Sequence, residues 1–511
     1  MGTSDYSGFL SQKSQKFYSD ISKSQTMKEE KFDDLFEKIQ LKASINKINN
    51  NCIYHIQFFS LINNERMKLN EHSECSILNN DTVNLNSSII IKYYFEKEQN
   101  LLIEILKIEN GISKKYEIRT TLGCIMGSRK NTFQKNISAS EPEMIVLQAE
   151  KLKQSEDVIS IRFEVQPNKP VDFKEIKCKS YFEILSNDKL LYRSESLNNK
   201  GIFDPVKIPL FLFKDNKITL LFYSFNRNVK RNYTLSTYEF ANQKEFEFKM
   251  RGTNYKVLSR SAITKDYTFV DYLKAGVQIG LAIAIDFTGS NGNPNDPNSL
   301  HYINDQIPNQ YERAIYSCGN IVAYYDYDQL FPCFGFGAKI NNEPNILFNL
   351  NMKQDPNIKF IEGVIEEYHN TIKVVTLWGP TFFSPIIKTI KEFIKKEKKN
   401  IKYHILMILT DGIIDDMDDT IEELVEASFL PLSVIIIGVG HADFSNMIEL
   451  DSDENLLINS KGVRASRDIV QFVPFSKYES NPDYLAMEVL AEIPRQVVDY
   501  YEQNNIQPIY I

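Results

Sequence analysis

The sequence predicts a multidomain chain: two all-β antiparallel sandwiches followed by an α/β doubly wound parallel sheet. Three observations carry this. The 511 residues suggest about three domains, at roughly 150 residues each. From residue 39 to residue 251 the chain runs in short β-type stretches broken by Asn, Asp, Gly and Lys. Aromatics reach 12%, with 33 Phe and 27 Tyr, and such side chains favour pleated, half-buried strands. After residue 260 the texture changes to continuous apolar runs alternating with helical stretches, the pattern of a parallel sheet.

The elements follow in order. Residues 1–35 are rich in Ser, Lys and Gln and read as a flexible tail. Residues 36–150 form a first sandwich, with strand runs at 52–59, 88–95 and 101–108. Residues 151–252 form a second, with runs at 158–165, 181–185, 206–213 and 218–225, and the junction falls near 147–155. The spacing of these runs suits antiparallel sandwiches. Residues 262–480 carry the parallel sheet. Its strands are the apolar runs 278–285, 330–336, 404–409 and 432–437, each apolar throughout and so expected to be buried on both faces. Helices are expected at 310–325, 358–371, 383–399 and 418–429. Residues 481–511 are a helical extension, with Leu485, Val489, Leu490, Ile493 and Val497 at helical spacing.

Composition excludes several functions. The net charge is −8, which rules out a globally basic nucleic-acid binder. No apolar run approaches the roughly 18 residues of a membrane-spanning helix. The polar N-terminus lacks a secretory signal, and Tyr6 stands where the myristoylation pattern has Ser or Thr. Six scattered cysteines without C-x-x-C spacing read as reduced thiols in the cytosol. No H-E-x-x-H, phosphate loop or G-x-S-x-G occurs. Gly438-Val439-Gly440 has Asp443 where a dinucleotide fingerprint needs its third glycine.

The chemistry gathers where apolar strands end in polar residues. One strand ends Asp286-Phe287-Thr288-Gly289-Ser290, another Thr410-Asp411-Gly412, and Gly379-Pro380-Thr381 lies between them. In an open parallel sheet, ligands bind outside the carboxyl ends of the strands. Asp286, Thr288, Ser290, Thr381 and Asp411 offer two carboxylates and three hydroxyls, with no nitrogen or sulfur. Such donors suit a hard cation, Mg²⁺ first and Mn²⁺ second. With two carboxylates, the ion keeps an open position that a partner's carboxylate can fill. His301 and the Asp415–Asp419 run are the only nearby candidates for a base. His301 is expected to be a satisfied loop histidine, and Asp418 and Asp419 to begin a helix and complement its dipole. The lysine-rich segment 388–402 reads as the exposed end of a helix ahead of a lipid-binding face.

The D-x-T-x-S…T…D series resembles a metal-ion-dependent adhesion site of the von Willebrand factor type A domain. More closely, residues 262–511 resemble the copine family. The resemblance rests on AIDFTGSNGN (284–293), SLHY (299–302), FPCFGFGAK (331–339), LTDG (409–412), IIIGVG (435–440), RDIVQFVPF (467–475) and LAEIP (490–494). It implies two C2-type sandwiches ahead of the type A-like domain, and metal ligation by Asp286, Thr288, Ser290, Thr381 and Asp411. It also implies a non-enzymatic adaptor that is cytoplasmic, peripheral at the plasma membrane, associated with phospholipid, and able to capture a protein partner through an acidic side chain. No nucleic-acid partner is expected.

The chain departs from the family in the sandwiches. C2 modules usually hold Ca²⁺ with clustered aspartates. Here the matching positions carry Asn51, Lys107 and Glu109 in the first module. In the second they carry Lys179, Ser224, Asn226 and Asn228, with Asp172 surviving. Neither set offers three or four carboxylates, so Ca²⁺ binding at the sandwiches is expected to be lost or weakened. The alternative for the whole chain is a Mg²⁺-dependent phosphoester hydrolase using the same metal site.

Overall fold

The computed structural model describes residues 36–46, 52–62, 65–69, 75–77, 82–152, 157–167, 181–194, 203, 206–213, 217–224, 229–242, 246–249, 255–304, 306–397, 401–451, 456–479 and 481–508. The expected tail at 1–35, and Asn51, Asp172, Lys179, Asn226 and Asn228, lie outside these residues, as does the side chain of Ser224. The described part divides into two compact units, 153–268 and the remainder of the chain.

The first sandwich contains β1 (Glu37–Asn46), β2 (Cys52–Ile62), β3 (Glu65–Lys68), β4 (Cys75–Ile77), β5 (Thr82–Tyr93), β6 (Asn100–Glu109), β7 (Ile112–Thr121), helix α1 (Leu122–Gly127), β8 (Thr132–Asn136) and β9 (Met144–Lys151). Its sheets run β4-β5-β1-β9-β8 and β3-β2-β6-β7. Alternate residues point inward, as the pleat requires: Ile39, Leu41, Ala43 and Ile45 on β1, and Tyr54, Ile56 and Phe58 on β2, are buried.

The second sandwich contains β10 (Asp157–Pro167), β11 (Tyr181–Ser186), β12 (Lys189–Arg193), β13 (Val206–Pro209), β14 (Lys217–Ser224), β15 (Val229–Ser236), helix α2 (Thr237–Asn242), β16 (Phe246–Lys249) and β17 (Tyr255–Lys265). Its sheets run β13-β10-β17-β16 and β12-β11-β14-β15. Phe163, Phe182, Phe222 and Phe248 fill the space between them; the Phe163 and Phe182 rings meet edge-on at 4.6 Å. The expected limit at residue 252 is corrected here. β17 pairs with β10 along its whole length, so the second sandwich runs to Lys265. The expected limit followed the texture of the sequence, which changes to continuous apolar runs only after residue 260. Ser259 and Ser261 are buried in the sheet, and Ser261 Oγ donates to Phe240 O at 2.7 Å.

The third region begins with α3 (Phe269–Ala275) and continues through β18 (Gln278–Asp286), α4 (Gln310–Ala323), β19 (Leu330–Ile340), β20 (Glu343–Asn349), β21 (Asn357–Lys359), α5 (Ile361–Ile372), β22 (Thr376–Leu377), α6 (Ser384–Lys396), β23 (Lys402–Thr410), α7 (Met417–Ala427), β24 (Leu432–Gly438), α8 (Ser445–Leu450), β25 (Val470–Pro474), α9 (Pro482–Leu490) and α10 (Ile493–Gln503). The sheet order is β20-β19-β18-β23-β24-β25, with β19, β18, β23, β24 and β25 parallel. This is the doubly wound sheet the sequence predicts. β20 adds an antiparallel edge that the apolar pattern did not announce. Every residue of β18 after Gln278 is buried, because helices cover both faces. The extension expected at 481–511 is integral to this region, since α9 packs on α4 and β25, and α10 on α3.

The order also fixes where a ligand can sit. From β18 the chain moves to β19 on one side, then returns to β23 on the other. Outside the carboxyl ends of β18 and β23 lies the switch-point crevice.

Candidate metal centre

Asp286 ends β18, and Asp411 directly follows β23, so both flank this crevice. Parallel pairing in register, with Ile285 opposite Leu409, brings the two strand ends level. Thr288 and Ser290 follow Asp286 as the chain leaves the strand. Gly337, with φ +75°, makes room for Thr288. A Cβ at Gly337 would lie 2.3 Å from Thr288 Cγ2 and 3.3 Å from Pro380 O, so a side chain there would displace one wall of the site.

The hydroxyls and carboxylates converge. Ser290 Oγ donates to Asp411 Oδ1 at 2.9 Å and lies 3.0 Å from Thr288 Oγ1. Thr288 Oγ1 is 3.5 Å from Asp411 Oδ1. The Thr288 amide and Thr410 Oγ1 donate to the two oxygens of Asp286 at 2.8 and 2.6 Å. Thr381 joins from the segment after β22. A Cβ built on Gly412 would stand 3.4 Å from Thr381 Oγ1 and 3.7 Å from Ser290 Oγ. All five sequence-selected residues therefore border one point of the switch crevice. Asp286, Thr288, Thr381 and Asp411 are buried, while Ser290 opens to solvent.

Electrostatics favour a cation. Burial raises the Asp286 carboxyl above its usual range. Burial, and then the Asp286 charge, raise Asp411. The hydrogen bonds to these carboxylates come from hydroxyls and amides, which carry no net charge to offset two buried anions. Two carboxylates and three hydroxyls thus fit a hard divalent ion. Among the described residues, no three His, Cys, Asp or Glu side chains group as metal ligands, so hydroxyl donors distinguish this site.

A supporting layer escaped the sequence. Asn291 Nδ2 donates to Asp411 Oδ1 at 2.9 Å, and Asn291 Oδ1 accepts from Tyr311 OH at 2.6 Å. His301 lies beneath, fully buried, stacked between Phe287 and Tyr311 at 5.2 and 4.4 Å. Its Nε2 is 2.8 Å from Asp286 O, and its Nδ1 is 2.8 Å from Tyr368 OH. A carbonyl only accepts, so Nε2 carries the proton and Nδ1 accepts from Tyr368. Burial lowers the His301 pKa to about 3. With both nitrogens engaged, His301 is the satisfied loop histidine the sequence suggested. The acidic run is equally occupied. Asp415 Oδ2 accepts from the Thr381 amide at 2.8 Å, and Asp416 accepts from the Phe383 and Ser384 amides at the start of α6. Asp418 and Asp419 lie in the first turn of α7.

Other singled-out features resolve differently. Lys107 lies on β6, nearly fully buried, with its ammonium 2.6 Å from Glu143, 2.8 Å from Glu141 and 3.8 Å from Glu109. The lysine-rich segment is not a uniform exposed face. Lys391 turns inward to Glu426 at 2.6 Å, and Lys402 to Asp326 at 3.0 Å. Lys395 and Lys396 do end α6, as the dipole argument expected.

Residues 299–509 match the family model described as Copine. The matched span includes Thr381 and Asp411 and begins after Asp286, Thr288 and Ser290. The chain is also similar to the manganese-loaded TRAP protein of Plasmodium vivax, at 15% identity over 40% of this chain and 70% of that one, with a TM-score of 0.26. The SpRpn10 VWA domain matches at 12% identity, over 39% and 87%, with a TM-score of 0.26. The calcium-bound pair of C2 domains of extended-synaptotagmin 2 matches at 10% identity, over 44% and 96%, with a TM-score of 0.19. The fold assignment rests on the strand orders above, not on these scores. Behind two β-sandwiches, the doubly wound sheet and its helices carry the region, residues 299–509, that matches the copine family model.

Proposed function

We propose that this protein is a metal-dependent adaptor that captures a partner through an acidic side chain. The observation that carries this is the convergence of Asp286, Thr288, Ser290, Thr381 and Asp411 at the switch crevice. These residues would hold Mg²⁺ or Mn²⁺, and the bound ion would supply a coordination position for a carboxylate. Ser290, exposed at the mouth, places that position within reach of a macromolecule. The engagement of His301, Asp415 and Asp416 favours this over the phosphoester hydrolase, which needs an available base beside the ion. Calorimetric titration with Mg²⁺ and Mn²⁺ tests the site. Asp286→Ala is expected to abolish binding, and unchanged binding would reject the assignment.

The same proposal assigns the sandwiches a role without a Ca²⁺ trigger. In the first, Lys107 already pairs with Glu109, Glu141 and Glu143, so an internal cation takes the part of an external one. We place the protein in the cytoplasm, peripheral to phospholipid membrane; among the described residues no helix is long and apolar enough to cross one. Flotation with liposomes containing phosphatidylserine is expected to be equal with Ca²⁺ and with chelator. Strong Ca²⁺-dependent flotation would overturn the Ca²⁺-independent role.

A further inference from the structure

The rim of the crevice carries two large apolar side chains that the metal constellation does not use. Trp378, the single tryptophan of the chain, is 55% exposed, and Ile413 is 53% exposed. Both are tied to the site by short backbone links. The Gly289 amide donates to Trp378 O at 2.8 Å, which fixes Trp378 beside the Thr288–Ser290 turn. The Trp378 amide is held by Phe287 O and Gly337 O at 3.2 and 3.0 Å. Ile413 follows Gly412, whose Cα faces Thr381 Oγ1 and Ser290 Oγ. Asp415, two residues further on, is anchored to Thr381. The backbone of Trp378 is thus fixed against the turn that carries Thr288 and Ser290, and Ile413 lies between Gly412 and the anchored Asp415.

Lys339 adds charge to this rim. Its ammonium stands 3.1 Å from the centre of the Trp378 ring, a cation–π contact that orients the indole. A ligand approaching the mouth therefore meets a cation beside an aromatic face, next to a site for a divalent ion. A large exposed aromatic at the edge of a polar site is the kind of residue that carries binding energy in protein interfaces.

We infer that Trp378 and Ile413 form an apolar subsite flanking the metal position, so that the partner segment is an acidic residue with bulky apolar neighbours. This rests on the metal-dependent adaptor function above and specifies what that function selects. The carboxylate supplies the charge that the ion and Lys339 complement, and the apolar neighbours cover the indole and the isoleucine.

Two synthetic peptides test it: acetyl-Gly-Leu-Asp-Leu-Gly-amide and acetyl-Gly-Ser-Asp-Ser-Gly-amide. Binding to the full chain is measured by calorimetry in Mn²⁺ and in chelator. Mn²⁺ binding is read separately through quenching of Trp378 fluorescence in the parent, and by calorimetry in every variant. The leucine peptide is expected to bind at least about ten-fold more tightly than the serine peptide in Mn²⁺, from burial of apolar area on the rim. Trp378→Ala and Ile413→Ser are expected to bring that ratio near one while Mn²⁺ affinity stays within about two-fold. A ratio near one in the parent, or a ratio unchanged in Trp378→Ala, overturns the subsite while Mn²⁺ binding keeps the metal function standing. Failure of Mn²⁺ to bind overturns the metal function and the joint site together, whereas a leucine preference that persists in chelator overturns the joint site alone.

Discussion

Asn291 shows how much of the site is decided one residue beyond the motif. It holds Asp411 with its amide nitrogen and is itself held by Tyr311. Outer partners of this kind set the orientation of a ligand, and their loss typically weakens metal binding about 10–100-fold. Asn291→Ala is expected to lower Mn²⁺ affinity by that factor in calorimetry while leaving the five donor residues in place. The donors themselves were legible because Asp286, Thr288 and Ser290 alternate along one turn, and Asp411 ends an apolar strand. Asn291 stands in the same stretch of sequence. Its role depends on Tyr311 and Asp411, which lie 20 and 120 positions away, and no local spacing reveals such a contact. Lys107 offers a second test at this scale. It was legible as the wrong charge for a cation loop, but not as a buried ion-pair centre. Hydrogen bonds from Lys107, Tyr116 and Lys114 hold Glu141 down to about 2. Lys107→Met leaves carboxylates without their counter-charge, a loss of about 3–5 kcal/mol for a buried pair broken on one side. Thermal melting is expected to show that loss, and Ca²⁺ is expected to raise the melting temperature of the variant but not of the parent.

At the scale of elements, long apolar strands and amphipathic helices were legible, and short or half-polar strands were not. β18, β23 and β24 announce themselves by unbroken apolarity, which burial on both faces demands. β25 has only five residues, and β20 lies at an edge with polar residues facing water, so neither carries that pattern. The same limit displaced the end of the second sandwich, because β17 reads as polar until its pairing with β10 is seen. The N-terminal end of the parallel sheet carries its own prediction. Asp326, between α4 and β19, is buried, with Lys402 of β23 at 3.0 Å and Asp328 nearby. Burial raises its pKa to about 6, although Lys402 opposes the shift. The folded chain thus holds this proton more tightly than the unfolded chain does. The stabilisation is full below about pH 4 and is lost as pH rises through about 6. Between pH 5 and pH 8 this amounts to about 1–2 kcal/mol. Denaturant unfolding at the two pH values is expected to show Asp326→Asn losing less stability than the parent by that amount.

At the scale of the molecule, the first sandwich and the doubly wound domain share one buried seam, whereas residues 153–268 form a unit of their own. The seam is aromatic and polar at once. Tyr93 and Tyr325 meet hydroxyl to hydroxyl at 2.7 Å, and Phe95 packs on Phe269 and Tyr325 at 5.1 and 4.8 Å. Lys151 reaches Asp271 at 3.1 Å, and Glu37 accepts from the Val270 amide at 3.2 Å. None of this was legible, because each aromatic reads equally well as the core of its own element. The closest approach is made by α1. A Cβ on Gly127 would stand 1.9 Å from Tyr324 O, and one on Gly123 would stand 2.7 Å from the Tyr324 ring. Backbone cannot yield as a flexible side chain does, so Gly127→Ala forces the surfaces apart, at a cost of about 1–3 kcal/mol or more. The helix also packs on β7, β8 and β9 of the first sandwich, so circular dichroism of the variant checks that each domain keeps its fold. In the parent, the first sandwich and the doubly wound domain are expected to resist limited proteolysis together and to exchange the Tyr93 and Tyr325 amides slowly. In Gly127→Ala, cleavage is expected in the segments joining the domains, with faster exchange confined to the seam. Unaltered exchange there would mean that the seam does not depend on this contact.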